Sequence, residues 1–171
     1  MASKIRWLIS EGLISKDNSV KNLSEKYLQK ARTNLITMSL LSEVNTNKKI
    51  REILKISPNY DSDEWIVICG YYAMYSAALS LISKIGYKSK NHAATLALLE
   101  EFYIKKKILE KETLNIIQNA AISKEEIEKL SEAKHKREIA QYSVTKKTTK
   151  EIAEQIKRDA YNFINVVELI L

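Results

Sequence analysis

Apolar residues recur at every third or fourth position along most of the chain, which is the spacing of helices that bury one face. The clearest run lies between Val20 and Val44, and a polar connection with room for a short helical turn follows it, ended with the help of Pro58. The apolar positions of this run are Val20, Leu23, Tyr27, Ala31, Leu35, Met38 and Leu41. The pattern predicts a long amphipathic helix, and the whole chain divides into helical segments without needing strands.

The second predicted helix, from about Asp61 to Gly86, is apolar on all sides. No residue from Trp65 to Ser83 is charged, and that stretch is nearly as long as a membrane span. However, it contains tyrosines and serines, and its small residues recur at helical spacing, so that a neighbouring helix can approach closely. These small residues are Gly70, Ala73, Ala77 and Ser80. We therefore expect the centre of a helical bundle and no membrane, with Asp61 and Glu64 as a capping box and Gly86 as the C-terminal cap.

Three further helices are predicted in the second half of the chain, at about residues 91–107, at about 123–143 and from 148 onward. Ser123 with Glu126, and Thr148 with Glu151, resemble the capping boxes that open helices. The predicted fold is all-α, an antiparallel bundle of about five main helices. We expect a single domain over residues 1–171, with a core at about 20–166 and residues 1–19 as an N-terminal extension.

Composition supports a helical protein and excludes several functional classes. Three glycines and one proline in 171 residues are too few for the many turns of an all-β fold. One cysteine and two histidines make no convincing zinc set, and Cys69 is interpreted as a small buried hydrophobe. There is no Gly-rich phosphate loop, and no cofactor is predicted. Charges interrupt the first seventeen residues where a signal peptide would be apolar, so we expect a cytoplasmic protein.

Positive charge is concentrated in one segment of a chain whose formal net charge is +7. The basic residues between 129 and 150 are Lys129, Lys134, Lys136, Arg137, Lys146, Lys147 and Lys150. Only Glu132 and Glu138 oppose them. Arginine binds phosphate oxygens through two parallel hydrogen bonds, and lysines add non-specific attraction, so the segment indicates an anion site. The alternative is an ordinary solvated helix end, where cations are favoured.

Several residues from the apolar helix onward occur together in a recognisable order. They are the pair Tyr71 and Tyr72, the step Ala73, Met74 and Tyr75, the turn Ala77 and Ala78, the helix-ending Gly86, and His92, which opens the next helix. One helix later, Arg137, Ala140 and Tyr142 match an Arg-x-x-Ala-Asp-Tyr-like signature in which Gln141 replaces the aspartate. This arrangement resembles HEPN domains, a superfamily of small helical bundles. The resemblance covers about residues 62–144 by motif and about 20–166 by helix order.

The resemblance implies a bundle that usually dimerises and carries its functional cleft at the dimer interface. Many HEPN domains are metal-independent endoribonucleases with an Arg-x(4–6)-His motif. Others pair with a minimal nucleotidyltransferase in toxin–antitoxin modules, or bind RNA or nucleotides without cleaving them. Here Tyr142, Ser143 and Val144 stand at the positions where the motif would place its histidine after Arg137.

Tyr142 is a poor substitute for that histidine. Cleavage of RNA without a metal needs a base for the ribose 2′-hydroxyl, whereas a tyrosine has a pKa near 10, about three units or about 4 kcal/mol too high. On one continuous helix His135 lies about 200° from Arg137, and Tyr142 lies about 140° from it, so these side chains do not converge unless the helix ends or a partner chain contributes. His135 is interpreted as exposed or paired with Glu138. Tyr142 can still donate a hydrogen bond to a phosphate or stack on a base.

The leading hypothesis is a homodimeric HEPN-like protein that binds RNA or a nucleotide without catalysis, and that partners a minimal nucleotidyltransferase. The predicted phosphate- or RNA-binding residues are Arg137, Gln141, Tyr142, Lys134, Lys136, Lys146 and Lys147. Two alternatives stay open. One is an active metal-independent endoribonuclease with Arg137 and Tyr142 as its catalytic candidates. The other is a helical interaction scaffold in which the basic segment is incidental.

Overall fold

The computed structural model describes residues 3–136 and 142–171, with side chains for residues 3–125 and 150–171. Seven α-helices lie within these residues: α1 Ser3–Ser10, α2 Ser24–Thr46, α3 Lys48–Ile53, α4 Asp63–Lys84, α5 His92–Leu99, α6 Lys111–Lys136 and α7 Tyr142–Ile170. Two short strands, β1 Ile14–Lys16 and β2 Tyr87–Ser89, pair antiparallel. A 3-10 helix, Asn18–Leu23, precedes α2, and a π-helical turn, Glu100–Ile104, follows α5. The all-α prediction is confirmed.

Helix α4 is the central element, and its small residues let other helices approach closely. A Cβ atom added to Gly70 would overlap Ile156 Cγ2 in α7 and would lie 3.1 Å from Met38 Sδ in α2. Near the other end of α4, the Ser80 hydroxyl donates to the Ser24 carbonyl at 2.7 Å, and the Ser24 hydroxyl donates back to the Ser80 carbonyl at 3.0 Å. These contacts bring the helices closer together than larger side chains would permit.

Among the described residues, α4 is the helix whose length and composition would also suit a membrane span. However, 72% of its apolar window is buried inside the bundle. Ala73, Met74, Ala77 and Leu81 are each fully buried. The apolar character of α4 is therefore accounted for by its position at the centre of the bundle, as predicted.

Polar side chains fasten the start of α4 to the end of α2. The buried Ser62 hydroxyl donates to the Leu41 carbonyl at 3.0 Å and lies 2.8 Å from Asn45 Oδ1. Asn45 Nδ2 in turn donates to Asp63 Oδ1 at 2.7 Å. Helix α4 begins directly after Ser62, so the predicted capping box at Asp61 and Glu64 does not mark its first residue. Serine is short enough to be buried at this junction while its hydroxyl reaches both partners.

The antiparallel pair of β1 and β2, here called the two-stranded sheet, was missed by the sequence analysis, which needed no strands. Ile14 pairs with Ser89, and Lys16 pairs with Tyr87. Gly86 leads into β2 with φ of +79°, a conformation that favours glycine, which confirms its predicted role at the end of α4. Strands of three residues are too short to show the alternation by which strands are recognised.

The N-terminal residues take part in the core. Ile5 and Leu8 of α1 and Ile14 of β1 are buried, each at most 4% exposed, whereas residues 1–19 were expected to form an extension. At the other end, Val167 of α7 is fully buried, one residue beyond the predicted limit of 166. The buried core of the described residues is thus longer than the apolar periodicity indicated.

Helix boundaries in the second half differ from the predicted ones. Helix α6 starts at Lys111 rather than Ser123, and α7 starts at Tyr142 rather than Thr148. Both predicted capping boxes therefore lie inside helices, and residues 144–148 do not separate two helices. No glycine or proline follows Gly86 to end a helix early, and a Ser/Thr-x-x-Glu sequence is also compatible with a helix interior. The predicted helix at 91–107 is α5 followed by the π-helical turn.

Replacing Gly70 by alanine is expected to destabilise the protein by about 1–3 kcal/mol, because the new methyl group overlaps Ile156. Chemical denaturation of the wild type and Gly70→Ala measures this cost. The matched background is Ile156→Leu, which removes the Cγ2 methyl at nearly constant volume. Gly70→Ala should cost less in that background, and an equal cost in both would show that the contact with Ile156 is not limiting.

Candidate functional site

The residues predicted from sequence to bind phosphate lie outside the described side chains. Arg137 and Gln141 are outside the described residues altogether. Five others lie in described helices without described side chains: Lys134 and Lys136 in α6, and Tyr142, Lys146 and Lys147 in α7. Whether these residues form one site stays a prediction.

The angles of about 200° and 140° around Arg137 assume one continuous helix. Arg137 lies outside the described residues, so the angular argument about its convergence with Tyr142 stays a prediction.

The described part of α6 leads toward the N-terminal end of α4. The Tyr103 hydroxyl, shortly before α6, donates to the Leu81 carbonyl near the end of α4 at 2.7 Å. Farther along α6, Lys124 Nζ lies over the rings of Tyr71 and Tyr72. Helix α6 is therefore antiparallel to α4.

Helix α7 runs back alongside α4 in the same direction as α4. The positive charge of Lys150 acts on Asp63 at the first turn of α4, and Ile156 contacts Gly70 two turns later. Burial raises the pKa of Asp63, and the charge of Asp61 adds to this, while the Asn45 hydrogen bond and Lys150 oppose it. A cation near the start of α7 therefore offsets part of the cost of a half-buried carboxylate.

Three tyrosines of α4, here called the tyrosine cluster, form the chemically most distinctive group among the described side chains. The rings of Tyr71 and Tyr75 are stacked with an interplanar angle of 7° and centroids 5.8 Å apart. Tyr72 meets Tyr71 edge-on with centroids 5.0 Å apart. Lys124 Nζ lies 5.6 Å from the centroids of both Tyr71 and Tyr72, within the range of a cation–π contact.

The tyrosine cluster is partly core and partly surface. Tyr71 is 8% exposed, whereas Tyr72 is 41% exposed. Tyr71 agrees with a core position, but Tyr72 and Lys124 present an aromatic ring beside a cation at the surface of α4. That combination suits a nucleic-acid base or an anion.

His92 closes the inner side of the tyrosine cluster. Its ring lies 6.0 Å from that of Tyr71 and 5.7 Å from that of Tyr75, centroid to centroid. Both ring nitrogens are buried, and neither has a hydrogen-bond partner among the described residues. Burial lowers the pKa of His92, and the negative charge of Glu125 opposes this only in part. Both the buried nitrogens and the lowered pKa favour the neutral form of the ring.

The described residues contain no cluster of His, Cys, Asp and Glu able to hold a metal ion. Cys69 is half-buried against the core, and burial raises the pKa of its thiol, which favours the protonated form. This agrees with its interpretation as a small apolar residue.

A scan against protein families matched the HEPN domain over residues 55–170, which is more than half of the chain. The chain belongs to the HEPN domain family. The match includes α4, α5, α6 and α7, the elements that carry the tyrosine cluster, His92 and the basic segment. The same comparisons found no match to a curated protein or to a solved structure. The resemblance inferred from the tyrosine, alanine and glycine motifs is thus confirmed at the level of the family.

The buried ring nitrogens of His92 predict a loss of stability as the pH falls. Because its folded-state pKa is lowered below the ordinary value of 6.5, the unfolded chain takes up a proton first. The stabilising effect of the neutral ring is fully present above pH 6.5 and is lost as the pH falls from that value through the lower folded-state pKa. Denaturant unfolding between about pH 7.5 and about pH 6, above the carboxylate range, measures the loss.

His92→Phe is the matched variant, because it keeps a planar ring in the tyrosine cluster and cannot be protonated. Its free energy of unfolding should depend less on pH over the same interval. The other histidine, His135, is present in both proteins, so the difference between the two slopes reports His92. Equal slopes would contradict a buried neutral ring.

Proposed function

We propose that this HEPN domain binds single-stranded RNA or a nucleotide through the basic segment at residues 129–150 and does not cleave it. Arg137 and Tyr142 would hold the phosphate with Gln141, and lysines 134, 136, 146 and 147 would add non-specific attraction. The observation that carries the proposal is the cation–π contact between Lys124 and the exposed Tyr72 of α4. Lys124 lies on α6, the helix that leads into the basic segment.

Charge is the first support for the proposal. Seven of the 28 lysines and arginines lie between residues 129 and 150, where only two acidic residues oppose them. A cationic segment of this kind releases counterions when it meets a phosphate backbone, and this release provides most of the non-specific affinity for nucleic acid.

The position of Tyr72 is the second support. Twelve residues separate Lys124 from Lys136 along α6, which corresponds to about 18 Å of helix. Several nucleotides of single-stranded RNA span that length. A strand held by phosphates at the basic segment would then have bases within reach of Tyr72, and base–aromatic stacking contributes about 1–3 kcal/mol per base.

The absence of catalysis rests on proton chemistry. The Arg-x(4–6)-His spacing has no histidine after Arg137, and the pKa of an ordinary tyrosine is too high for a general base at neutral pH. His92 does not substitute for it, because both of its ring nitrogens are buried within the described part of the chain. A histidine that no ribose hydroxyl reaches accepts no proton from it.

The proposal also includes a homodimer in the cytoplasm and a minimal nucleotidyltransferase as partner in a toxin–antitoxin-type module. These follow from the behaviour of other HEPN domains rather than from a described contact. A twofold dimer would place two basic segments in one assembly and so increase affinity for a longer RNA.

Binding is tested by fluorescence anisotropy with a labelled single-stranded RNA over a range of salt concentrations. Arg137→Ala and the pair Lys146→Gln/Lys147→Gln should weaken binding, and each lost phosphate contact should lower the salt dependence by about one unit in the log–log slope. The control pair Lys16→Gln/Lys26→Gln removes the same charge from exposed lysines outside the segment and should bind as the wild type does. Absence of binding at low salt would favour the interaction scaffold.

Cleavage is tested by incubating the wild type with end-labelled RNA in EDTA. We expect intact RNA, because no described group and no motif histidine supplies a base. Arg137-dependent cutting would establish the metal-independent endoribonuclease instead. Tyr142→His recreates the Arg-x(4)-His spacing and is the positive arm, in which cutting that disappears on Arg137→Ala is expected.

A further inference from the structure

A cleft of about 220 Å³ lies between the two-stranded sheet, the start of α2 and the end of α4. Its lining includes Leu13, Leu23 and Leu79 as apolar walls, and Tyr27, Ser83 and Lys90 as polar groups. The site of the proposed RNA contact is elsewhere, because Asp63 and Ser83 are separated by twenty residues of α4, or about 30 Å. The cleft therefore needs its own explanation.

The size of the cleft admits an organic ligand. A cavity of about 150 Å³ lined by aliphatic and aromatic side chains is large enough to bind benzene. The present cleft exceeds that volume and is likewise lined mainly by apolar side chains. It therefore has room for one aromatic ring or a short aliphatic chain together with a small polar group.

A largely buried serine lines the cleft. Ser83 is 3% exposed, and no hydrogen bond joins its hydroxyl to another described residue. By contrast, the neighbouring buried Ser80 has its hydroxyl satisfied by the Ser24 carbonyl. The Ser83 hydroxyl is therefore available to a ligand group that accepts or donates a hydrogen bond.

A cation without a counterion lies at the mouth of the cleft. Lys88 Nζ forms an ion pair with Asp17 Oδ2 at 2.7 Å, and the Asp17 pKa is lowered to about 2, chiefly by the Lys88 hydrogen bond. Lys90 has no such pair among the described residues. Its Nζ lies 3.8 Å from the position that a Cβ on Gly12 would occupy, so the lysine folds over the turn beside the cleft. One positive charge is thus available to an anionic ligand.

We propose that this cleft binds a small carboxylate with an apolar body and a second polar group. The carboxylate contacts the Lys90 ammonium, the body packs against Leu13, Leu23 and Leu79, and the second polar group reaches the Ser83 hydroxyl. The ligand is bound and not transformed, because the lining includes no base or metal site. This binding is independent of the proposed RNA function.

The test is a titration of the full-length protein with 4-hydroxyphenylacetate, followed by calorimetry and by amide NMR shifts. Saturable binding is expected, with amide shifts in the two-stranded sheet and at the end of α4. Lys90→Gln should weaken binding about tenfold, because a charged hydrogen bond is lost. Lys16→Gln is the matched control, since Lys16 is an exposed lysine of the two-stranded sheet and does not line the cleft.

Two comparison ligands divide the polar contacts. Phenylacetate lacks the hydroxyl and should bind more weakly to the wild type, with a smaller difference in Ser83→Ala. The neutral alcohol 4-hydroxyphenylethanol lacks the charge and should be insensitive to Lys90→Gln. Leu23→Trp fills the partly exposed wall of the cleft and should abolish binding of all three, while circular dichroism checks that the variant remains helical.

Absence of saturable binding would overturn the proposal and leave a water-filled cleft. Binding that is unchanged in both Lys90→Gln and Leu23→Trp would also overturn it, because the ligand would then occupy another place. RNA binding should be the same with and without 4-hydroxyphenylacetate, so a failure of either proposal is recognised separately.

Discussion

The close approach of α2 and α7 to α4 is the constraint on which the other features of the molecule depend. Gly70 leaves no space between α4 and Ile156, and the serine pair of Ser24 and Ser80 replaces bulky side chains where α2 meets α4. Packing at this distance gives α4 a single position relative to its neighbours, since interiors at crystal-like density do not deform smoothly. The tyrosine cluster and the cleft both inherit their geometry from that position.

The two ends of α4 differ in charge and in chemistry. At its N-terminal end, Asp63 is half-buried beside Asn45, and Lys150 of α7 contributes an opposing charge. At its C-terminal end, Gly86 turns the chain into strand β2, and Lys90 lines the cleft beside that strand. One helix thus carries charged and aromatic side chains toward one end and lines a small cleft with leucine walls at the other.

The sequence predicted the parts of this fold that repeat over many residues. The spacing of apolar residues in α2, the uncharged run of α4 and the glycine at position 86 were enough to indicate a helical bundle with α4 at its centre. The two-stranded sheet could not be predicted, because Ile14–Lys16 and Tyr87–Ser89 are too short to show the alternation of apolar and polar residues that marks a strand. Nor could the burial of Ile5 and Leu8, since two apolar residues in one short helix are equally compatible with an exposed extension.

The candidate site was less accessible to sequence reasoning than the fold. The contact of Lys124 with Tyr72 joins residues fifty-two positions apart, and nothing in the local pattern pairs them. His92 was recognised only as part of a family resemblance, and its lack of hydrogen-bond partners is a property of the packed structure. The basic segment, in contrast, was visible from composition alone, because charge is counted without knowledge of side-chain direction.

The most direct measurement of the central claim is photocrosslinking of a thiouridine-substituted single-stranded RNA to the full-length chain, with mass spectrometry of the crosslinked peptides. The account predicts crosslinks concentrated in peptides from residues 129–150, with a second group at the α4 peptide that contains Tyr72. Bound RNA whose crosslinks fall in the two-stranded sheet or along α2, with none in residues 129–150, would contradict it.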